Sequence, residues 1–134
     1  SKLPAFFGGL PGFVADALPD GWGLLLMDRV FRKAGRDPAT LTPLDRLAFI
    51  GARAMGALAF EPPADLELDP DDMTLRELAE AARDVIEDRD THALETLALV
   101  GGSPHGARPK ALVSFDPSRR TISRMTLPLR PKGR

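Results

Sequence analysis

The hydrophobic period changes once along this chain, and that change constrains the fold more than any other feature. Up to Val100 the apolar residues recur at helical spacing in segments bounded by capping residues; from Ala111 onward they alternate with polar ones at the period of a strand. A chain ordered in this way, with several helices followed by one pair of strands, is expected to be α+β: mostly helical with a small antiparallel sheet.

The helical segments can be placed one by one. Leu3 to Asp20 is rich in Gly and Pro but carries Phe6, Phe7, Phe13, Val14 and Leu18, too apolar for a linker. A packed, irregular opening with one helical turn near residues 14–17 is expected, ending at Pro19. Asp20 then stands as an N-cap before a run in which Leu24, Met27, Val30, Phe31 and Ala34 share a face, and Gly35 follows the last turn. Thr42-Pro43 opens a second helix in the favoured order of hydroxyl cap and first-turn proline. Its face is read as Leu44, Leu47, Ala48, Gly51 and Met55, with an end near Gly56, and residues 57–60 are read as a buried strand or extended segment. Residues 61–73 form an acidic connector with three prolines. Thr74 and Glu77 make a capping box for a third helix reaching about Glu87, its face read as Leu75, Leu78, Ala79, Ala82 and Ile86. Asp90 or Thr91 caps a shorter helix through Leu94, Leu97 and Val100, stopped by Gly101-Gly102. Residues 111–115 and 121–125 read as two strands joined by a turn over 116–120, and the Pro- and base-containing end from Pro128 reads as loose.

Composition narrows the chemistry. The chain of 134 residues has no cysteine, which removes disulfides, thiolate metal sites and cysteine nucleophiles. Its two histidines, His92 and His105, give little scope for a histidine-based metal site, so no metal ligands are assigned. No apolar run approaches a membrane span and the start does not read as a signal peptide, so a cytoplasmic, bacterial-style protein is expected. The net charge of −1 conceals an asymmetry: residues 61–90 hold twelve acids against three bases, and residues 101–134 hold eight bases against one acid. Mutual pairing or solvation of the two segments explains this as well as a phosphate-bearing ligand does. The adjacent Asp71 and Asp72 are read as part of a solvated connector in preference to a paired-carboxylate site.

The segment Gly101-Gly102-Ser103-Pro104-His105-Gly106-Ala107-Arg108-Pro109-Lys110 lies between a helix end and a strand. Glycines let backbone N–H groups approach phosphate oxygens, a serine hydroxyl adds a donor, and Arg108 and Lys110 add positive charge. Gly102, Ser103, His105, Gly106, Ala107, Arg108 and Lys110 are therefore the candidate phosphate-binding residues. The segment lacks the Gly-Lys-Ser/Thr ending of a Walker A loop and the spacing of the usual protein-kinase glycine loop. On the residues alone, a helix C-cap followed by a surface loop is the stronger reading and phosphate binding the weaker one.

Three elements in order resemble the HipA family. Phe7-Gly8-Gly9-Leu10-Pro11-Gly12, continuing through Ala15-Asp16-Ala17-Leu18-Pro19-Asp20-Gly21-Trp22-Gly23, resembles the HipA N-terminal region, in which a Leu-Pro-Asp/Glu-Gly-Trp element opens a helix. Thr42-Pro43-Leu44-Asp45-Arg46-Leu47-Ala48-Phe49-Ile50-Gly51 with Met55-Gly56-Ala57-Leu58 is similar to the next element. The third is Gly101-Gly102-Ser103 with Gly106-Ala107-Arg108-Pro109-Lys110-Ala111-Leu112-Val113, where Pro104 and His105 depart from the family pattern.

The resemblance implies a fragment of a bacterial serine/threonine kinase of the toxin–antitoxin kind. Residues 1–100 would be the N-terminal helical region, and residues 101–134 would begin the kinase N-lobe with its Gly-rich loop and a β-hairpin. It implies ATP and Mg²⁺ as cofactors of the full-length protein, and a protein substrate receiving the γ-phosphoryl group. It also implies a C-lobe that completes the site and a HipB-like antitoxin as a possible partner. By motif position Ser103 corresponds to the loop serine whose phosphorylation withdraws the loop and silences well-known members. The catalytic residues of the family lie beyond the segments matched here, so none is assigned and the isolated chain is expected to be inactive, with no tightly bound cofactor. The alternative is a stand-alone binding protein, similar to small HipA N-domain-like proteins, that neutralises a separate kinase subunit. Membrane association and direct nucleic-acid binding are not expected.

Overall fold

Burial of three amphipathic helices around a fourth, mostly apolar one accounts for most of the architecture. The computed structural model describes residues 9–51, 58–66, 68, 73–101 and 106–124. A single helical turn, α1 (Gly12–Ala15), precedes the long α2 (Gly21–Lys33); a 3-10 turn at Pro38–Thr40 leads to α3 (Pro43–Ile50). Then come α4 (Leu75–Ile86), α5 (Leu94–Gly101) and the strands β1 (Val113–Asp116) and β2 (Thr121–Arg124). The fold is α+β, and the two strands form an antiparallel hairpin in which Phe115 faces Ile122 and Val113 faces Arg124.

α5 sits at the centre. Leu94, Thr96, Leu97, Ala98, Val100 and Gly101 are all buried, so nearly every side of the helix is covered, as expected for a short helix apolar all round. α2 packs along it through Trp22, Leu26, Met27, Val30 and Phe31, and α4 packs against it through Leu78, Ala81, Ala82 and Val85. α3 adds Leu47, Phe49 and Ile50, and the Phe49 ring meets that of Phe31 at 5.3 Å between centroids, tilted by 48°. The Arg36 guanidinium covers the other part of Phe31, 5.0 Å from its centroid. Two part-buried arginines tie elements together: Arg46 donates to Asp28 at 2.6 Å, and Arg29 donates to the Val85 carbonyl at 3.0 Å and to Asp88 at 2.5 Å.

Several expected details shift. The core stripe of α2 runs through Trp22 and Leu26, with Leu24 half-buried and Ala34 exposed. In α4 the buried face is Leu78, Ala81, Ala82 and Val85, whereas Leu75, Ala79 and Ile86 are exposed. Both templates satisfy a helical period, and alanine is too small and too neutral to choose between them. What fixes the face is packing on α5 and the Arg29 bond to the Val85 carbonyl. In α3, Leu44 is exposed and the helix ends at Ile50, earlier than Gly56, because Gly51 turns out of the helical conformation at φ 55° and ψ −121°. Residues 52–57 lie outside the described residues. The expected buried strand is not found at 58–60: Leu58 and Ala59 are exposed and irregular, and only Phe60 packs partly on the core.

Both threonine caps form. Thr42 and Asp45 exchange bonds reciprocally, as do Thr74 and Glu77, so the hydroxyl accepts from the third backbone N–H while the carboxylate accepts from the cap residue. The Thr42 hydroxyl and N–H hold the Asp45 carboxyl below its ordinary pKa, helped by Arg36; the Thr74 hydroxyl and N–H do the same for Glu77, helped by His92. The proline at the first position of α3 costs nothing there because its missing N–H has no helical acceptor.

Candidate functional site

The Gly-rich segment leaves the C-terminus of α5 and enters β1, and its described residues lie on the first turn of α2. Gly101, the last residue of α5, is buried where a β-carbon would come within 2.5 Å of the Lys110 carbonyl oxygen and 2.9 Å of Trp22 Nε1. No side chain other than hydrogen fits between that indole and the returning strand. The indole itself is 2% exposed, and its Nε1 has no hydrogen-bond partner among the described residues. Just beyond, the Leu112 N–H donates to the Val100 carbonyl at 2.6 Å, so the segment's two ends are held side by side.

Gly106 is gripped on both sides of its peptide. Its N–H donates to Asp20 Oδ1 at 2.8 Å, and its carbonyl accepts from the Trp22 N–H at 2.9 Å. Between those two partners lies Gly21 at φ 43°, where a β-carbon would stand 2.6 Å from the carbonyl carbon and oxygen of Gly106 and 2.8 Å from the Ala107 α-carbon. Gly106 itself has φ 106° and lies directly beneath the Lys110 ammonium. At Gly21 the two backbones therefore come closer than a Cβ-bearing residue allows, whereas at Gly106 it is the positive φ that favours glycine.

Asp20 occupies the N-cap position of α2 in extended conformation, yet its side chain makes no capping bond to the helix. The carboxylate reaches across to Gly106 instead, 86 residues away in sequence. A helix N-cap reading is right for the backbone and misses the partner, because local rules see only the next three residues. The Leu-Pro-Asp-Gly-Trp spacing was the available signal: an Asp-Gly-Trp turn ahead of a helix combines an acceptor, a positive-φ position and a buried anchor.

Of the sequence-derived phosphate candidates, Gly106, Ala107, Arg108 and Lys110 are brought together on one short limb, with Ala107, Arg108 and Lys110 exposed and Gly106 half-buried. Gly102, Ser103 and His105 lie outside the described residues, as do Asp71 and Asp72. His92 is exposed and Trp22 is a core residue. Among the described residues no grouping of His, Asp and Glu is arranged to hold a metal ion, and no helix is long and apolar enough to cross a membrane.

A groove of about 430 Å³ opens at the other end of α2, where its last turns face the α4–α5 junction. Arg29, Arg32, Lys33 and Arg89 give it a basic wall. Most of that charge is already met: Arg29 by Asp88, Lys33 by Glu95 at 2.7 Å, and Arg89 by Asp84 at 2.6 Å and by Glu87. Asp84 also pushes the Arg89 pKa up from its ordinary value. An ion-paired seam joining three helices describes the groove better than an anion site.

The hairpin carries a second surface feature. Val113, Phe115 and Ile122 share one face by register and are 41, 60 and 51% exposed.

Comparison with known families agrees with the first of the sequence resemblances: the model of the HipA N-terminal domain matches residues 2–61. That stretch includes the Asp20-Gly21-Trp22 turn and stops before α4. No curated protein and no solved structure matches the chain.

Proposed function

We propose that this chain, similar to the HipA N-terminal domain over residues 2–61, is the N-terminal region and Gly-rich loop of a serine/threonine kinase of the toxin–antitoxin type. In this reading the boundary falls at about residue 100. The helical region forms the platform, and residues 101–110 form the cover for the ATP phosphates. The observation that carries the reading is the seating of a Gly-rich, basic segment on the first long helix of the matched stretch, with the Gly106 peptide held at two points.

The chemistry follows from the residue types. Gly102 and Ala107 supply main-chain amides, Ser103 and His105 supply side-chain donors, and Arg108 and Lys110 supply charge toward phosphate oxygens. Gly106 belongs to the same loop, but its N–H is engaged by Asp20 in this conformation. Ser103 is the proposed site of loop autophosphorylation. When bound, Mg²⁺ would neutralise charge on the phosphoryl group that ATP donates, and none of the residues named here is assigned as its ligand. The proposed partners are the remaining kinase lobe, a protein substrate and a HipB-like antitoxin, in the bacterial cytoplasm.

Calorimetric titration of ATP into the native protein, with Lys110→Ala and Arg108→Ala beside it, tests the reading. Each variant is expected to weaken binding by roughly three- to tenfold, the range for one charge-assisted contact at an exposed site. Phosphate on Ser103 by mass spectrometry, lost in Ser103→Ala, is expected as well. Unchanged affinity in both basic variants, or phosphorylation confined to another residue, counts against the assignment.

The exposed apolar face of the hairpin favours a second reading, in which the chain is a stand-alone binding protein that neutralises a separate kinase subunit. Reconstitution separates the two. Inhibition of a separate kinase by the isolated chain supports the second reading, and an ATP-dependent activity that needs covalent continuity supports the first.

A further inference from the structure

We propose that Asp20 is a positioning residue for the Gly-rich loop: its carboxylate, with the Trp22 N–H, clamps the Gly106 peptide so that residues 107–110 are presented to the nucleotide phosphates in a fixed place. The proposal rests on the nucleotide-loop reading above and deepens it by naming what holds the loop.

Three independent contacts converge on the same spot. The Gly106 N–H donates to Asp20 at 2.8 Å, and the Gly106 carbonyl accepts from Trp22 at 2.9 Å. Gly21 allows its backbone to approach that of Gly106 at a distance that a β-carbon would obstruct, and Gly106 holds the positive φ that glycine tolerates. The gripping residues begin a 13-residue helix whose Trp22 and Leu26 are anchored in the core, so the clamp stands on a rigid base. A loop carrying flexible glycines loses conformational entropy when it closes on a ligand, and a tether at one peptide reduces that loss beforehand. A carboxylate normally repels phosphate. Spent on the Gly106 N–H, it serves the loop from behind, and this gives Gly106 an anchoring task distinct from that of its neighbours.

The test uses the complete kinase that this reading implies, its remaining lobe included, with Asp20→Ala and Asp20→Asn. Thr42→Ala serves as a control that loses a helix cap distant in sequence from the loop. Two quantities are read: amide hydrogen exchange at Gly106, and the separate KM for ATP and kcat. Asp20→Ala is expected to speed Gly106 exchange and to raise the ATP KM by roughly three- to tenfold, as loss of one exposed charge-assisted hydrogen bond would, with kcat changed less. Asp20→Asn retains an acceptor oxygen and is expected to recover most of both effects, whereas Thr42→Ala leaves KM alone. Unchanged Gly106 exchange in Asp20→Ala overturns the clamp. Faster exchange with unchanged KM overturns positioning, and a lowered KM overturns it too, since the carboxylate would then be competing with phosphate. Wild-type protein that binds no ATP overturns the nucleotide reading itself; that failure is recognisable because the exchange contrast at Gly106 persists.

Discussion

Replacing Gly101 with alanine would drive a methyl group to 2.5 Å from a backbone carbonyl on one side and 2.9 Å from a buried indole on the other. Neither neighbour is the loose end of a flexible side chain, so the strain has nowhere to go. Gly101→Ala is expected to cost about 1–3 kcal/mol of stability, the usual range for overpacking. Gly21→Ala should cost at least as much, because φ 43° adds a conformational penalty to a 2.6 Å clash with the Gly106 backbone. Urea denaturation of both variants checks this, and melting curves that overlay wild type contradict the packing described. At this scale the sequence was legible where function and local rule coincide. Trp22 reads as a core anchor and is one, and Gly101 reads as a helix stop and is the last residue of α5. Asp20 reads as a cap and turns out to serve a peptide 86 positions away. Long-range partners of a surface carboxylate leave no periodic trace in sequence.

Helices α3 and α4 each begin with a threonine whose hydroxyl and following carboxylate satisfy one another's backbone donors. Thr42→Ala and Thr74→Ala are each expected to lose about 1 kcal/mol at neutral pH. The sign of the pH dependence follows from the lowered Asp45 and Glu77 pKa values. A carboxylate with a depressed folded pKa stabilises the fold above the unfolded value, about 4 for these side chains. That contribution is lost as pH falls through the lower folded values. The gap in stability between wild type and each threonine variant should therefore be full at pH 7 and narrow on acidification below about pH 4; a gap that widens there contradicts the cap geometry. The face of α4 gives a second comparison. Leu78→Ala is expected to cost roughly 2–5 kcal/mol as a core truncation, and Leu75→Ala about 0.5 kcal/mol or less, although both leucines fit one helical period. Element existence was readable from caps and breakers: Thr42-Pro43, Thr74 with Glu77, and the α5 stop at Gly101 all hold. Facing was not, because α4 offers Leu75, Leu78, Ala79, Ala82 and Ile86 as one stripe and Leu78, Ala81, Ala82 and Val85 as another. Only the tertiary partner, α5, selects between them.

Taken whole, the molecule is a helical body centred on α5 with a hairpin whose apolar side is open to solvent. The Gly-rich segment joins the two, and its seat on α2 links the region similar to the HipA N-terminal domain to the chemistry proposed for residues 101–110. Class and order of elements were readable because the period changes once. The architecture around the loop was not, since it depends on the return of residue 106 to the start of α2 across most of the chain. In the function proposed, residues 101–110 cover nucleotide phosphates. Amide hydrogen exchange across that segment in the native protein, with and without saturating ATP and Mg²⁺, tests it most directly. Slowed exchange in residues 101–110 is expected when nucleotide is bound. Bound nucleotide that leaves those amides exchanging as fast as before would contradict it.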